Sequence, residues 1–244
     1  MRRWLLNSHP NAQRLTFKGV LARFFVVLLT WILLYQLWIF LHICWWVKHN
    51  PNSSAFMEDR LEIIQETNPD AELKHKWVSY DQISNHLKRA VIASEDAKFI
   101  DHEGVDWEAI QAAYEKNLKK GKIVSGGSTI SQQLAKNLFL SSKRTPWRKA
   151  QELVITYMLE AVLDKRRIFE IYLNVIEWGD GVFGAESASK HYFKVSAAKL
   201  SSQQAARLAV MIPNPRFYDK HKKTSYLTKR TAIIQSRMRF SEIP

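Results

Sequence analysis

The stretch Pro146–Glu160, PWRKAQELVITYMLE, decides how the rest of the chain reads. Thr145 supplies a capping side chain, and Pro146 stands at the first helical position, where its missing N–H costs nothing. Trp147, Ala150, Leu153, Val154, Tyr157 and Ala161 recur at helical spacing along one side. Ile155, Leu159 and Leu163 occupy the opposite side, so the helix is apolar nearly all round and is expected to be central. Glu152 falls among those last three, with Arg148 one turn earlier. A carboxylate in that setting needs a partner or a cleft. It is either half of a structural Arg148–Glu152 ion pair or a functional acid.

Working outward, most of the signal is helical. Asp106 is placed to cap a helix whose apolar residues Trp107, Ile110, Ala113, Tyr114 and Leu118 run to Gly121. Residues 166–175 (RRIFEIYLNV) and 197–212 predict two further helices, the second stopped by Pro213. Residues 179–184 (GDGVFG) read as a loop, and strand-like alternation is scarce. A mainly α domain follows.

Toward the N-terminus, residues 24–47 contain no Asp, Glu, Lys or Arg (FFVVLLTWILLYQLWIFLHICWWV). As a helix this run is about 36 Å long, enough to cross a hydrocarbon core of about 30 Å. Trp45 and Trp46 suit the aromatic belt of a membrane interface. Arg2, Arg3, Arg14, Lys18 and Arg23 precede the span, and no acidic residue appears before Glu58. The positive-inside rule then keeps the N-terminus in the cytoplasm and sends the rest outside. The expected organisation is a basic cytoplasmic N-terminus (1–23), a transmembrane helix (24–47), a linker and membrane-proximal segment (48–76), and an extracytoplasmic domain (77–244).

Six basic residues precede Glu58, which leaves 30 basic against 23 acidic in the remainder. A basic domain beside an anionic leaflet favours lipid head groups or a lipid-linked phosphate; nucleic acid is not expected there. The single cysteine, Cys44, lies in the span, so the domain has neither a disulfide nor thiol chemistry. The eight histidines show no HExxH pattern.

Two further stretches carry chemistry. Residues 93–104 (ASEDAKFIDHEG) offer Glu95, Asp96 and His102, which alone would pass as a solvated turn. Residues 126–137 (GGSTISQQLAKN) contain a capping box, Thr129 to Gln132, with Ile130, Leu134 and Leu138 as a helical stripe. They also hold two glycines, three hydroxyls, two glutamines, Lys136 and Asn137, more polar equipment than a cap requires. A glycine-preceded helix start presents backbone N–H groups to an anion.

Taken in order, EDAKFIDHEG (95–104), GGSTISQQLAKN (126–137), RKAQE (148–152), KRRIFEIYLN (165–174) and GVFGAESASKHYF (181–193) resemble the motifs of family 51 glycosyltransferases. The match is closest to the monofunctional peptidoglycan transglycosylases and covers roughly Trp77 to Arg239. Ser131 stands where that family more often has threonine, and the hydroxyl is kept. The resemblance implies a lysozyme-like, two-lobed, mainly α domain with a membrane-hugging lobe. It implies polymerisation of lipid II, a disaccharide-pentapeptide on undecaprenyl pyrophosphate, into β-1,4 glycan strands at a bacterial inner membrane, with cell-wall synthesis or division proteins as partners. By the same match Glu95 is the catalytic base and Glu152 the second essential acid, while Ser128, Gln132, Gln133, Lys136 and Arg148 line the substrate cleft.

The residue types suit that reaction. A sugar hydroxyl attacks only once a positioned carboxylate takes its proton. The pyrophosphate leaving group is already a stable anion, so cations serve it better than an acid. Lys136, Arg148 and Lys165 are the candidates. No resident cofactor is implied; a divalent cation, magnesium or manganese, at Glu95 or Asp96 stays open. Two S-x-x-K sequences, Ser187–Lys190 and Ser196–Lys199, raise an acyl-serine reading, but S-x-N and K-T-G are missing. A membrane-anchored lytic enzyme that cleaves glycan and a non-catalytic scaffold for wall assembly compete with the polymerase reading.

Overall fold

The computed structural model describes residues 17–122, 126–143 and 145–244. Helix α1 (Phe17–Trp45) has 29 residues and a mean hydropathy of 2.3 over its most apolar part. Among the described residues it is the one helix long and apolar enough to cross a membrane. Most of α1 belongs to a first compact unit ending at Leu41; His42–Pro244 form the second.

The second unit is mainly helical, as expected. Its helices are α2 (Ala55–Gln65), α3 (Asn85–Glu95), α4 (Trp107–Lys120), α5 (Ile130–Phe139), α6 (Pro146–Val162) and α7 (Lys165–Val175). These are followed by α8 (Ala185–Phe193), α9 (Ser202–Met211), α10 (Pro215–Lys220) and α11 (Ser225–Arg237). Side-chain caps start most of them. Asp106 accepts from Ala109 N–H at 2.8 Å, Thr145 from Arg148 N–H at 3.1 Å, and Asp164 from Arg167 N–H at 2.7 Å. Each satisfies a backbone donor that has no intrahelical partner.

Helices α3, α9 and α11 pack together, and α5 packs on both α6 and α7. Phe99, Phe169, Tyr172, Trp178 and Phe183 are fully buried. The residues expected to form a loop at 179–184 instead make a hairpin. Strand β2 (Glu177–Gly179) runs antiparallel to β3 (Val182–Phe183), and β1 (Lys74–His75) adds in parallel, giving the order β1-β3-β2. Gly181 turns it at φ 68°, a conformation that glycine adopts without cost. Gly184, at φ 81°, passes so close to α7 that a Cβ would stand 2.8 Å from the Asn174 carbonyl. Asn174 is fully buried and uses its whole amide, bonding Val78 N–H and C=O and the Glu170 carbonyl. It is a structural pin between α7 and the β1 segment.

Two further expectations are corrected, the central place of α6 and the single helix over 197–212. Helix α6 is not central: Ile155 and Leu159 are fully buried, each worth about 2 kcal/mol, but Trp147 is 71% exposed and Val154 and Tyr157 are exposed too. The α4 stripe is likewise uncovered, with Trp107, Tyr114 and Leu118 at 62%, 67% and 70% exposure. Trp46 does not stand free; it is buried against Phe139, at the end of α5, with ring centroids 5.2 Å apart. The helix expected over 197–212 divides, because Ser201 caps a fresh start at Ser202 after one 3-10 turn, Ala197–Lys199.

Candidate active site

Glu95 ends α3, and Asp96 begins the turn that follows. The two acidic neighbours have different occupations. Asp96 is buried and accepts from His102 Nε2 at 3.1 Å and from the Ile130 backbone N–H at 2.9 Å. His102 Nδ1 accepts from Gly104 N–H at 3.1 Å, which leaves the ring proton on Nε2, facing Asp96. Asp96 therefore fastens the first turn of α5 to the 95–104 loop, where a negative charge also suits the helix dipole. Gly104, at φ 85°, lets the loop approach α6: a Cβ there would lie 2.7 Å from Thr156 Cγ2.

Glu95 keeps its carboxylate for the site. Ser94 Oγ donates to Oε1 at 3.1 Å, and Gln133 Nε2 donates to Oε2 at 3.2 Å. Tyr172 OH, fully buried on α7, donates to Gln133 Oε1 at 3.0 Å and so fixes which way that amide points. Burial pushes the Glu95 carboxyl above its usual range, and the charge of Asp96 adds to this. The bonds from Gln133 and Ser94 and the charge of Arg230 oppose the shift. Ser94, Tyr172 and Arg230 were not singled out from sequence; Ser94 and Tyr172 lie inside quoted stretches, whereas Arg230 left no signal there.

Tyr172 is a positioning residue, and Tyr172→Phe tests it. Losing its hydroxyl frees Gln133 to turn its carbonyl oxygen toward Glu95, which repels the carboxylate. One lost hydrogen bond of this kind is worth about 1.4 kcal/mol, so kcat should fall about tenfold with KM little changed. The acid limb of the pH profile should also move up. An unmoved limb would reduce Tyr172 to core packing.

Glu152 is 3% exposed. Arg148 Nη1 reaches its Oε2 at 2.9 Å, and Lys149 Nζ bonds its Oε1. Lys149 also donates to Ser128 Oγ at 3.3 Å. Arg148 Nε is buried with no hydrogen-bond partner. A donor left unpaired beside a doubly bridged carboxylate is ready for an acceptor from a ligand.

Around these groups runs a cleft of about 850 Å3, walled by Ser128, Gln132, Gln133, Lys136, Arg148, Lys149 and Glu152. Glu177 and Arg216, 3.4 Å apart, stand elsewhere on the same wall. A cavity of about 400 Å3 holding Glu95 shares Gly126 and Ser128 with it, so the two glutamates border adjoining spaces. Gln132 spends its Oε1 on the capping box with Thr129, and Gln133 is engaged at both ends of its amide.

Lys165 does not join the cleft. It bonds Glu160 at 2.8 Å and the His102 carbonyl, with its ammonium 4.7 Å from the Phe99 ring centroid. It is corrected here to a structural lysine that ties α7 to α6 and the 95–104 loop. Lys149, not singled out from sequence, lines the cleft instead. Lys190 of the first S-x-x-K sequence pairs with Glu186 at 3.2 Å.

A protein-held divalent cation does not fit these residues. Among the described residues no three His, Cys, Asp or Glu side chains gather to hold one. Asp96 is already satisfied by His102 and Ile130, so no step is derived through a metal.

The profile of the family described as Transglycosylase matches residues 60–239. Relatives named biosynthetic peptidoglycan transglycosylase are close along nearly their whole length. That of Methylobacillus flagellatus is 65% identical over 227 residues, 93% of this chain and 99% of the relative. That of Laribacter hongkongensis is 65% identical over 224 residues, 92% and 98% of the two chains. The Chromobacterium violaceum protein is 63% identical over 225 residues, 92% and 99%. With a family match over residues 60–239 and relatives this similar, this chain belongs to the transglycosylase family.

Proposed function

We propose that this peptidoglycan glycosyltransferase joins lipid II units into β-1,4 glycan strands by inverting displacement, with Glu95 as general base. Supporting this is the pairing of a carboxylate of raised proton affinity with an adjoining cleft whose buried Arg148 Nε lacks a partner. The acceptor hydroxyl loses its proton to Glu95 as its oxygen bonds the donor's anomeric carbon. The bond from that carbon to the pyrophosphate breaks on the opposite face, and undecaprenyl pyrophosphate leaves with the electron pair. Lys136, Arg148 and Lys149 stabilise the departing charge, while Glu152 spaces Arg148 and Lys149 apart. Gln132 and Ser128 complete the wall that orients the sugars.

Purified full-length protein in detergent should convert lipid II to glycan strands; folded protein that makes none overturns the reading. Lys136→Ala should lower kcat about hundredfold, the cost of one lost transition-state donor. Turnover at the wild-type rate would return Lys136 to the solvated face.

The location proposed is the bacterial inner membrane, crossed once by α1, with residues 1–23 cytoplasmic and the domain outside. The basic residues before the span support this orientation. The uncovered stripe of α4 and exposed Trp147 and Tyr157 of α6 suit contact with membrane lipid. A reporter active only in the cytoplasm, fused after Pro244, should stay silent; strong signal there would reverse the topology and remove access to an outward-facing lipid substrate.

A further inference from the structure

A separate cavity of about 450 Å3 lies among α8, α9, α10 and α11, and none of its lining residues lines the cleft. Arg207 of α9 stands half-buried on its wall. Its Nη2 donates to the Lys222 carbonyl, and among the described residues it has no carboxylate partner. Lys222 is also on the wall, no closer than 4.0 Å to Asp219, and no acidic residue lines the space. A guanidinium partly withdrawn from water without a counter-charge favours an anion, and its planar fork favours a carboxylate.

The neutral groups narrow the choice. Gln204 Oε1 accepts from Ser201 N–H at 3.0 Å, which leaves its Nε2 as a donor. Gln235 Nε2 donates to Ser202 Oγ at 2.8 Å, which leaves its Oε1 as an acceptor. One free amide donor and one free amide acceptor match the C=O and N–H of a peptide bond. Met211 and Ala232 add apolar lining for a small side chain. Met211 faces this cavity while the next residue, Ile212, lines the cleft, so an occupant would touch the turn that walls the active site.

We propose that this cavity binds the free C-terminal end of a peptide, namely the pentapeptide stem of the glycan handled in the neighbouring cleft. The carboxylate sits on Arg207 and Lys222, its adjoining peptide group on Gln204 and Gln235, and the terminal side chain on Met211 and Ala232. Only the peptide's source rests on the reading of the cleft; the chemistry of the site does not.

Titration calorimetry on the full-length protein in detergent tests this with three probes. They are the free pentapeptide of lipid II, its C-terminal amide, and an unrelated pentapeptide of L-residues with a free carboxylate. The lipid II pentapeptide should bind saturably, and its amide about tenfold or more weaker, the size of a lost charge-assisted hydrogen bond. Arg207→Gln should weaken binding by a similar factor, and Ala232→Trp should abolish it by filling the space. A wild-type unfolding temperature certifies each variant, and either alone is decisive if the other misfolds. No saturable binding, equal binding of acid and amide, or binding untouched by a folded variant overturns the site. Tighter binding of the L-residue peptide overturns the stem as occupant and identifies a protein tail. No donor lipid is present, so these outcomes are independent of whether the enzyme polymerises.

Discussion

Glu95→Gln should bring polymerisation almost to a halt while leaving the protein folded and able to bind lipid II. The amide keeps the shape and can still meet Ser94 and Gln133, but it has no basicity to offer the acceptor hydroxyl. A positioned base contributes about 10²–10⁴-fold, so residual turnover near one part in a thousand is expected. In the wild type, burial raises the carboxyl's proton affinity, so the acid limb of kcat/KM should lie above the ordinary carboxylate range. That limb should vanish in the variant. Turnover within a few-fold of wild type would remove Glu95 from the mechanism.

The same shift makes a stability forecast with a definite sign. A carboxyl whose proton affinity is raised in the folded state contributes stability below its unfolded value of about 4.3. That contribution is lost as pH rises through the higher folded value. At neutral pH the charged Glu95 therefore costs the fold something, and Glu95→Gln removes the cost. Thermal unfolding of the variant should occur at or above the wild-type temperature near neutrality, with the gap closing in acid. A lower unfolding temperature at neutral pH would contradict burial as the cause.

Glu152→Gln should be as damaging to turnover but for a different reason, and it should destabilise the protein. The buried Glu152 side chain holds Arg148, whose side chain is 16% exposed, together with the half-exposed Lys149. Removing it leaves two cations facing each other without a counter-charge. Breaking a buried pair costs about 3–5 kcal/mol. Because Lys149 reaches solvent, about 3 kcal/mol is the better expectation, or about 10 °C in a domain of this size. Turnover should fall at least about hundredfold as Arg148 and Lys149 drift from the leaving group. Adding Arg148→Met should recover much of the stability and none of the activity. Wild-type stability in Glu152→Gln, or recovery of turnover in the double variant, would contradict this division.

The mainly α class and most helix starts were legible because caps and apolar spacing are local, whereas the lysozyme-like architecture came only with the resemblance of the ordered motifs. Asp106, Thr129 and Thr145 could be read as N-caps without knowing any partner. Periodicity showed that Trp107, Tyr114 and Leu118 share a face, but not that the face lacks a protein neighbour. The same gap placed α6 at the centre. Lys165 was misplaced because its partners, Glu160 and the His102 carbonyl, meet it only after α7 folds beside α6. The β2–β3 hairpin was missed because strands of three and two residues are too short to show alternation. Tyr172 acts on Glu95 through Gln133, 39 residues away in the chain, a relation that spacing does not encode.

Asp96 carries a warning for genetics. A growth screen for inactivating alleles would recover changes at Glu95 and at the next codon with the same phenotype. The second class would lack the Ile130 and His102 attachments and so the anchored start of α5, with Gln133 misaligned as a consequence. Such alleles should be rescued by cooler growth or by second-site changes that tighten α5, whereas Glu95 alleles should be rescued by neither.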